Sequence, residues 1–89
     1  MVQRKVSVIN AKGLHLSAAA DVARTAATFE SDVWLSKDDA EVDAKSIMGI
    51  LTLAAGMGSE VVVKADGPDE EEAVRAVVAL FNAKFNEEA

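Results

Sequence analysis

Asn10-Ala11-Lys12-Gly13-Leu14-His15-Leu16-Ser17-Ala18-Ala19-Ala20 is the stretch on which the reading of this chain turns. Before it, Val6 and Val8 alternate with Lys5 and Ser7, a period of two that predicts a half-buried strand over residues 3–9. After it, Ala19, Val22, Ala23, Ala26 and Phe29 recur at helical spacing. They predict a helix from Leu16 to about Phe29, with Ser17, Asp21, Arg24 and Thr28 toward solvent. Asn10 to Gly13 carries the loop chemistry between the two. The period changes at His15, the only histidine. The imidazole therefore sits at the mouth of a helix, where unpaired backbone N–H groups and the positive dipole end can hold an anion. A lone histidine in that place is a candidate phosphoryl acceptor.

Working outward, Val33-Trp34-Leu35-Ser36 and Glu41-Val42-Asp43-Ala44 read as two strands joined by the turn Lys37–Ala40. Val33 and Leu35 point inward and Trp34 to the opposite face, as a sheet with one covered face tolerates. Ser46, a favoured N-cap, opens a short apolar helix over residues 47–53 that Gly56 and Gly58 are expected to stop. Residues 60–65 form the fourth strand. Asp66-Gly67-Pro68-Asp69 turns the chain, and Asp69 with Glu72 has capping-box spacing. The last helix is expected to reach about Lys84, with Ala73, Val77, Leu80, Phe81 and Phe85 as its buried stripe. The order β-α-β-β-α-β-α predicts an α+β open-faced β-sandwich, a four-stranded antiparallel or mixed sheet with three helices on one face.

Composition narrows the function. The 89 residues form one domain, 1–89, with half of its residues hydrophobic and only three Phe and one Trp. A chain of this length buries roughly 60–65% of its unfolded surface, a real but thin core. There is no cysteine, so disulfides, thiolate catalysis and cysteine-ligated zinc are excluded, and one histidine cannot build a multi-histidine metal site. No apolar run approaches the ~20 residues of a membrane span, and Met1–Lys5 leads into no signal-peptide stretch. A cytoplasmic protein is expected. The formal charge is −6 and the pI about 4.6, which disfavours nucleic acid and anionic membranes as partners. Seven acids lie from Asp66 onward: Asp66, Asp69, Glu70, Glu71, Glu72, Glu87 and Glu88. An RNA-binding sandwich is poorly supported as well, because the sheet lacks paired aromatics for stacking.

Three landmarks together resemble one family. Gly13-Leu14-His15 precedes the first helix, Lys45-Ser46-Ile47-Met48-Gly49 opens the second, and Gly67-Pro68-Asp69-Glu70 opens the third. In this order and at these separations they resemble HPr phosphocarriers of the bacterial phosphoenolpyruvate-dependent phosphotransferase system, over the whole chain. Glu70–Phe81 is similar to the nitrogen-related branch, and Lys45–Gly49 to the sugar branch. The resemblance implies a relay without a cofactor. Enzyme I, charged by phosphoenolpyruvate, phosphorylates His15, and the carrier passes the group to an acceptor domain of IIA type. It also implies Nδ1 as the acceptor nitrogen. The family usually reads Gly-Leu-His-x-Arg-Pro-Ala, and in it that Arg lies beside the phosphorylated ring and contacts partners. Here Ser17 and Ala18 replace Arg and Pro. A charge-assisted hydrogen bond of about 1.5–3 kcal/mol is thereby lost. Ser17 retains a hydroxyl donor and Ala18 supplies a backbone N–H that proline lacks. A weakened acceptor is expected.

The other site residues follow. A nucleophilic ring must be neutral with one free lone pair, and the start of a helix favours that form. Leu16, Ser17 and Ala18 would offer backbone N–H groups to the phosphoryl oxygens. Leu16, Ala20, Ile47, Met48 and Leu51 would form a docking patch beside His15, and Arg24 would steer an acidic partner. For Met48 and Leu51 the alternative is ordinary core packing, and for Arg24 a solvated helix position. Asp69–Glu72 reads as cap and dipole chemistry, with no metal site. The resemblance implies that Ser46 is the target of a serine kinase/phosphorylase, and its alternative is a plain N-cap. No nucleic acid or membrane partner is expected, and the protein should be a monomer. The rival function is a regulatory binding module of the same fold, controlled through Ser46 and no longer a carrier.

Overall fold

Strands β1 (Val2–Ser7), β2 (Asp32–Lys37), β3 (Ala40–Asp43) and β4 (Glu60–Asp66) pair in the order β1-β4-β2-β3 in the computed structural model. Every pairing is antiparallel, which resolves the expected "antiparallel or mixed" sheet. The structure describes residues 1–87; Glu88 of the acidic tail lies outside the described residues. Helices α1 (Leu16–Ala27), α2 (Ile47–Thr52) and α3 (Glu70–Asn82) complete the layer, followed by a 3-10 turn at Lys84–Asn86.

The alternation seen in the sequence sets the faces. Val6 pairs with Val61, Leu35 with Val63 and Val33 with Ala65, and all six are buried. Trp34 takes the other face, between Lys64 and Asp43 in register. The Lys64 ammonium donates to Glu41 across that outer face at 2.7 Å. Over the inner face, α1 contributes Ala19, Val22, Ala23 and Ala26 to one core with Val74, Val77 and Phe81 of α3. Alanines on α1 and the fully buried Phe81 of α3 belong to the same core. Burying a side chain of this kind stabilises by about 1.5–3 kcal/mol.

Several boundaries differ from the sequence reading. β1 ends at Ser7 because Val8 already bonds the β4 approach as a loop residue: its N–H donates to Ser59 O at 2.9 Å and its carbonyl accepts from Gly58. α1 stops at Ala27, and Phe29 is half-buried against the core. α2 does not wait for Gly56: the chain turns at Ala54, an alanine with φ of +50°. Val74 joins the stripe of α3, whereas Leu80 is only partly buried. The helix ends at Asn82, short of the expected Lys84. Lys84, Phe85 and Asn86 then take φ of 54°, 54° and 63°. Left-handed backbone at non-glycine residues costs of order 1–3 kcal/mol each and persists only where the surroundings impose it. Here Phe85 is buried edge-on against Phe81, with ring centroids 5.1 Å apart.

The expected capping box at α3 is not formed. Asp69 is the N-cap residue, but its carboxylate does not bond its own helix. It accepts instead from the N–H groups of Glu30 and Ser31, both at 2.9 Å, and from the Ser31 hydroxyl at 2.5 Å. Glu70 supplies the local closure, accepting from Gly67 N–H at 3.1 Å. A long-range partner has outcompeted the local one. Among the described residues no helix is long and apolar enough to cross a membrane.

Candidate functional site

The loop before α1 is built around its first residue. Asn10 has the parity of Val6 and Val8 and turns inward, fully buried. Its Nδ2 donates to Gly13 O at 2.9 Å, while Gly13 N–H returns a bond to Asn10 O at 3.2 Å. Gly13 has a φ of +66°, and a Cβ there would lie 2.6 Å from Ala55 O and 2.8 Å from Gly56 Cα. Only glycine satisfies both constraints. Leu14 is buried, and its N–H donates to Ala55 O at 2.9 Å. The loop is thus pinned immediately before the imidazole.

His15 is the N-cap residue of α1, with extended backbone, and its side chain does not cap the helix. Its carbonyl accepts from Ala19 N–H at 2.8 Å. Among the described residues no acceptor bonds the N–H groups of Leu16, Ser17 and Ala18. They form an open donor set at the positive end of the helix. The ring turns the other way: Nε2 contacts Glu87 Oε2, with side chains 29% and 21% exposed. The second carboxylate oxygen, Glu87 Oε1, accepts from Asn10 Nδ2 at 3.1 Å. These bonds, His15 first and Asn10 second, hold the Glu87 carboxyl below the usual carboxylate range, with a small contribution from Lys12. Asn10 Oδ1 is buried without a partner among the described residues. Such an orphaned acceptor costs about 1–3 kcal/mol.

The expected site residues separate. Ser17 is exposed at the mouth, and Ala18 is buried, so only its N–H faces outward chemistry. Of the residues expected in the apolar patch, Leu16 and Met48 are exposed, 64% and 73%. Ile47 and Leu51 pack partly against the core, and Ala20 is half-buried. Core packing therefore accounts for most of Leu51 and not for Met48. Arg24 is exposed, and its guanidinium is paired to Asp21 one turn earlier, so its charge is largely neutralised on its own helix. Ser46 Oγ accepts from Gly49 N–H at 3.0 Å, a closed N-cap. A Cβ at Gly49 would come within 3.3 Å of that oxygen.

Asn10 and Glu87 were not among the expected site residues. For Asn10 the signal was its inward strand parity; for Glu87, 72 residues from His15, the local sequence held none. Among the described residues no group of three or more His, Cys, Asp or Glu gathers as metal ligands.

These features define a class: a small open-faced α+β sandwich that presents one imidazole at an open helix mouth. Comparison with known proteins names it. The family described as "PTS HPr component phosphorylation site" matches residues 2–83. The phosphocarrier protein HPr of Cupriavidus necator is 48% identical over 98% of both chains. The crystal structure of an HPr from Thermoanaerobacter tengcongensis superposes with a TM-score of 0.96, at 44% identity and full coverage of both chains. The Bacillus subtilis protein Crh, solved as a dimer with a swapped domain, is 44% identical, with a TM-score of 0.76 over 94% of this chain and 97% of that one. The chain belongs to the HPr family, the phosphocarriers of the phosphotransferase system.

Proposed function

We propose that His15 accepts a phosphoryl group from phosphorylated enzyme I and passes it to a IIA-type acceptor domain. The open mouth of α1 carries this reading. Its N-cap side chain is turned away, and three first-turn N–H groups are free to receive phosphoryl oxygens. Transfer needs no cofactor beyond the two partner proteins, and residues 1–89 act as one cytoplasmic domain. Leu16 and Met48, with the edges of Ile47, Leu51 and Ala20, are the docking face, and Arg24 is at most a minor steering charge.

The absence of Arg at position 17 weakens transfer without abolishing it, because the backbone donors of the mouth remain. Ser46 is a second phosphorylation target, for a serine kinase/phosphorylase. Phosphate there sits at a helix start, where charge is tolerated, and adds repulsion beside the docking face. The protein works as a monomer; size-exclusion chromatography with light scattering tests this against the swapped dimer described for Crh.

The decisive measurement is intact mass after incubation with phosphoenolpyruvate and catalytic enzyme I. An acid-labile phosphoryl adduct on the wild type, absent from His15→Ala, is expected. No adduct on the wild type, with the same enzyme I active on another HPr, would replace the carrier with a regulatory module acting through Ser46.

A further inference from the structure

Glu87 reaches His15 by an unusual route. After α3, three successive left-handed residues reverse the chain, and buried Phe85 anchors the reversal on Phe81. The turn delivers one carboxylate onto the imidazole. Its two oxygens have separate duties: Oε2 meets His15 Nε2, and Oε1 is held by buried Asn10 Nδ2. Asn10 Nδ2 also donates to Gly13 O. Rotating that amide would set its oxygen against two acceptors, so its orientation is fixed while Oδ1 goes without a partner. A strained turn and an orphaned buried oxygen are both retained to place this single carboxylate.

An ionised carboxylate only accepts hydrogen bonds. Contact with it therefore places the hydrogen of the neutral ring on Nε2 and leaves the lone pair on Nδ1. From this geometry we infer that Glu87, seated by Asn10, is a positioning residue that fixes the Nε2–H tautomer of His15 and supports the ring through phosphoryl transfer. The inference rests on the carrier reading above. In the transfer step the Nδ1 lone pair forms the N–P bond as the bond from phosphorus to the donor atom breaks, and that electron pair leaves with the donor. Nε2 keeps its proton, so the phosphorylated ring is cationic. The Glu87 charge lies against that Nε2–H, on the side away from the incoming phosphoryl. A carboxylate that orients an imidazole and stabilises its cation in this way acts through the ring and never touches phosphorus. The carboxyl's depressed pKa keeps it ionised at neutral pH.

The test uses nitrogen-15 NMR of the imidazole in the full-length, unphosphorylated protein, followed by phosphorylation kinetics with enzyme I. Wild type is expected as the Nε2–H tautomer when neutral. Glu87→Ala should give a mixture of tautomers and slow phosphorylation about tenfold or more, the usual effect of removing the partner that orients a functional histidine. Glu87→Gln has a single oxygen for two donors, Asn10 Nδ2 and Nε2–H, so it should bias the tautomer less than wild type and slow transfer as well. A folded Glu87→Ala with the wild-type tautomer, or with the wild-type rate, would overturn the inference. The tautomer is read without any phosphoryl donor. A wild type that never accepts phosphate therefore removes the carrier reading, and the tautomer still decides what Glu87 does to the ring.

Discussion

Helices α1 and α2 pack against each other, and their first turns solve the same problem in opposite ways. Each starts with N–H groups that have no partner within the helix. At α2 the Ser46 hydroxyl turns inward and accepts from Gly49, three residues on. At α1 the corresponding side chain is His15, which turns outward to Glu87 and leaves Leu16, Ser17 and Ala18 uncapped. A capped mouth is a stability device. An uncapped one forgoes about 0.5–2 kcal/mol of capping and keeps its donors for something else. The adjacent pair thus separates a structural helix start from one available for chemistry within a single layer.

The sharpest way to test this contrast is to change what the open mouth offers. Ser17→Arg adds a guanidinium beside the uncapped turn, and one charge-assisted bond to a phosphoryl oxygen is worth about 1.5–3 kcal/mol. The rate of phosphorylation by enzyme I should rise about 10- to 100-fold, measured by rapid quench with an acid-labile readout. An unchanged rate would mean that the backbone donors alone already saturate the site, and the weakened-acceptor reading would fail.

Much of this was legible in the sequence because the relevant interactions are local. Val33 and Leu35 declare their face through alternation, Ala19–Ala26 through helical period, and Ser46 through its place before an apolar run. What escaped depends on contacts across the chain. Asp69 and Glu72 have the spacing of a capping box, yet Asp69 bonds Ser31, 38 residues away, because the N–H groups of Glu30 and Ser31 and the Ser31 hydroxyl converge on its carboxylate. Ala54 carries no mark of the positive φ that ends α2, where glycines two and four residues later invite a different boundary. Glu87 reads as one acid in an acidic tail until the reversal at Lys84–Asn86 sets it against His15. The histidine's place at a helix mouth was readable; its carboxylate partner was not, since no periodicity links residues 15 and 87.

Smaller effects probe the caps themselves. Ser46→Ala removes the hydroxyl that Gly49 N–H uses and should cost about 0.5–2 kcal/mol, read as a lower midpoint in urea with an unchanged slope. The mirror experiment puts a cap on α1. His15→Ser and His15→Ala both lose the ring and its Glu87 contact, but only serine can turn inward to the free N–H groups. His15→Ser should therefore be the more stable of the two by about 1 kcal/mol. Equal stabilities would show that the mouth of α1 is held open by something other than the choice of side chain, and would break the comparison.

The third helix start gives the smallest effect and a sign that can be checked. At α3 the Asp69 carboxylate leaves its own helix for the Glu30–Ser31 turn. The Ser31 hydroxyl bond chiefly, then Glu30 N–H, hold its carboxyl below the usual 3.8. A carboxylate depressed on folding releases its proton more readily in the native state, so its contribution is complete above the unfolded value. That contribution is lost as pH falls through the lower folded value. Stability followed from neutral pH into the acid should decline in wild type partly for this reason. Asp69→Asn should be less stable at neutral pH and lose less of its stability on acidification. The slope will not vanish, because Glu41, Glu70 and Glu87 are depressed too, by Lys64, by Gly67 N–H and by His15 respectively. An Asn variant with the wild-type acid slope would mean that Asp69 is as well solvated folded as unfolded. The Glu30–Ser31 turn would then be held by packing rather than by the N-cap carboxylate of α3.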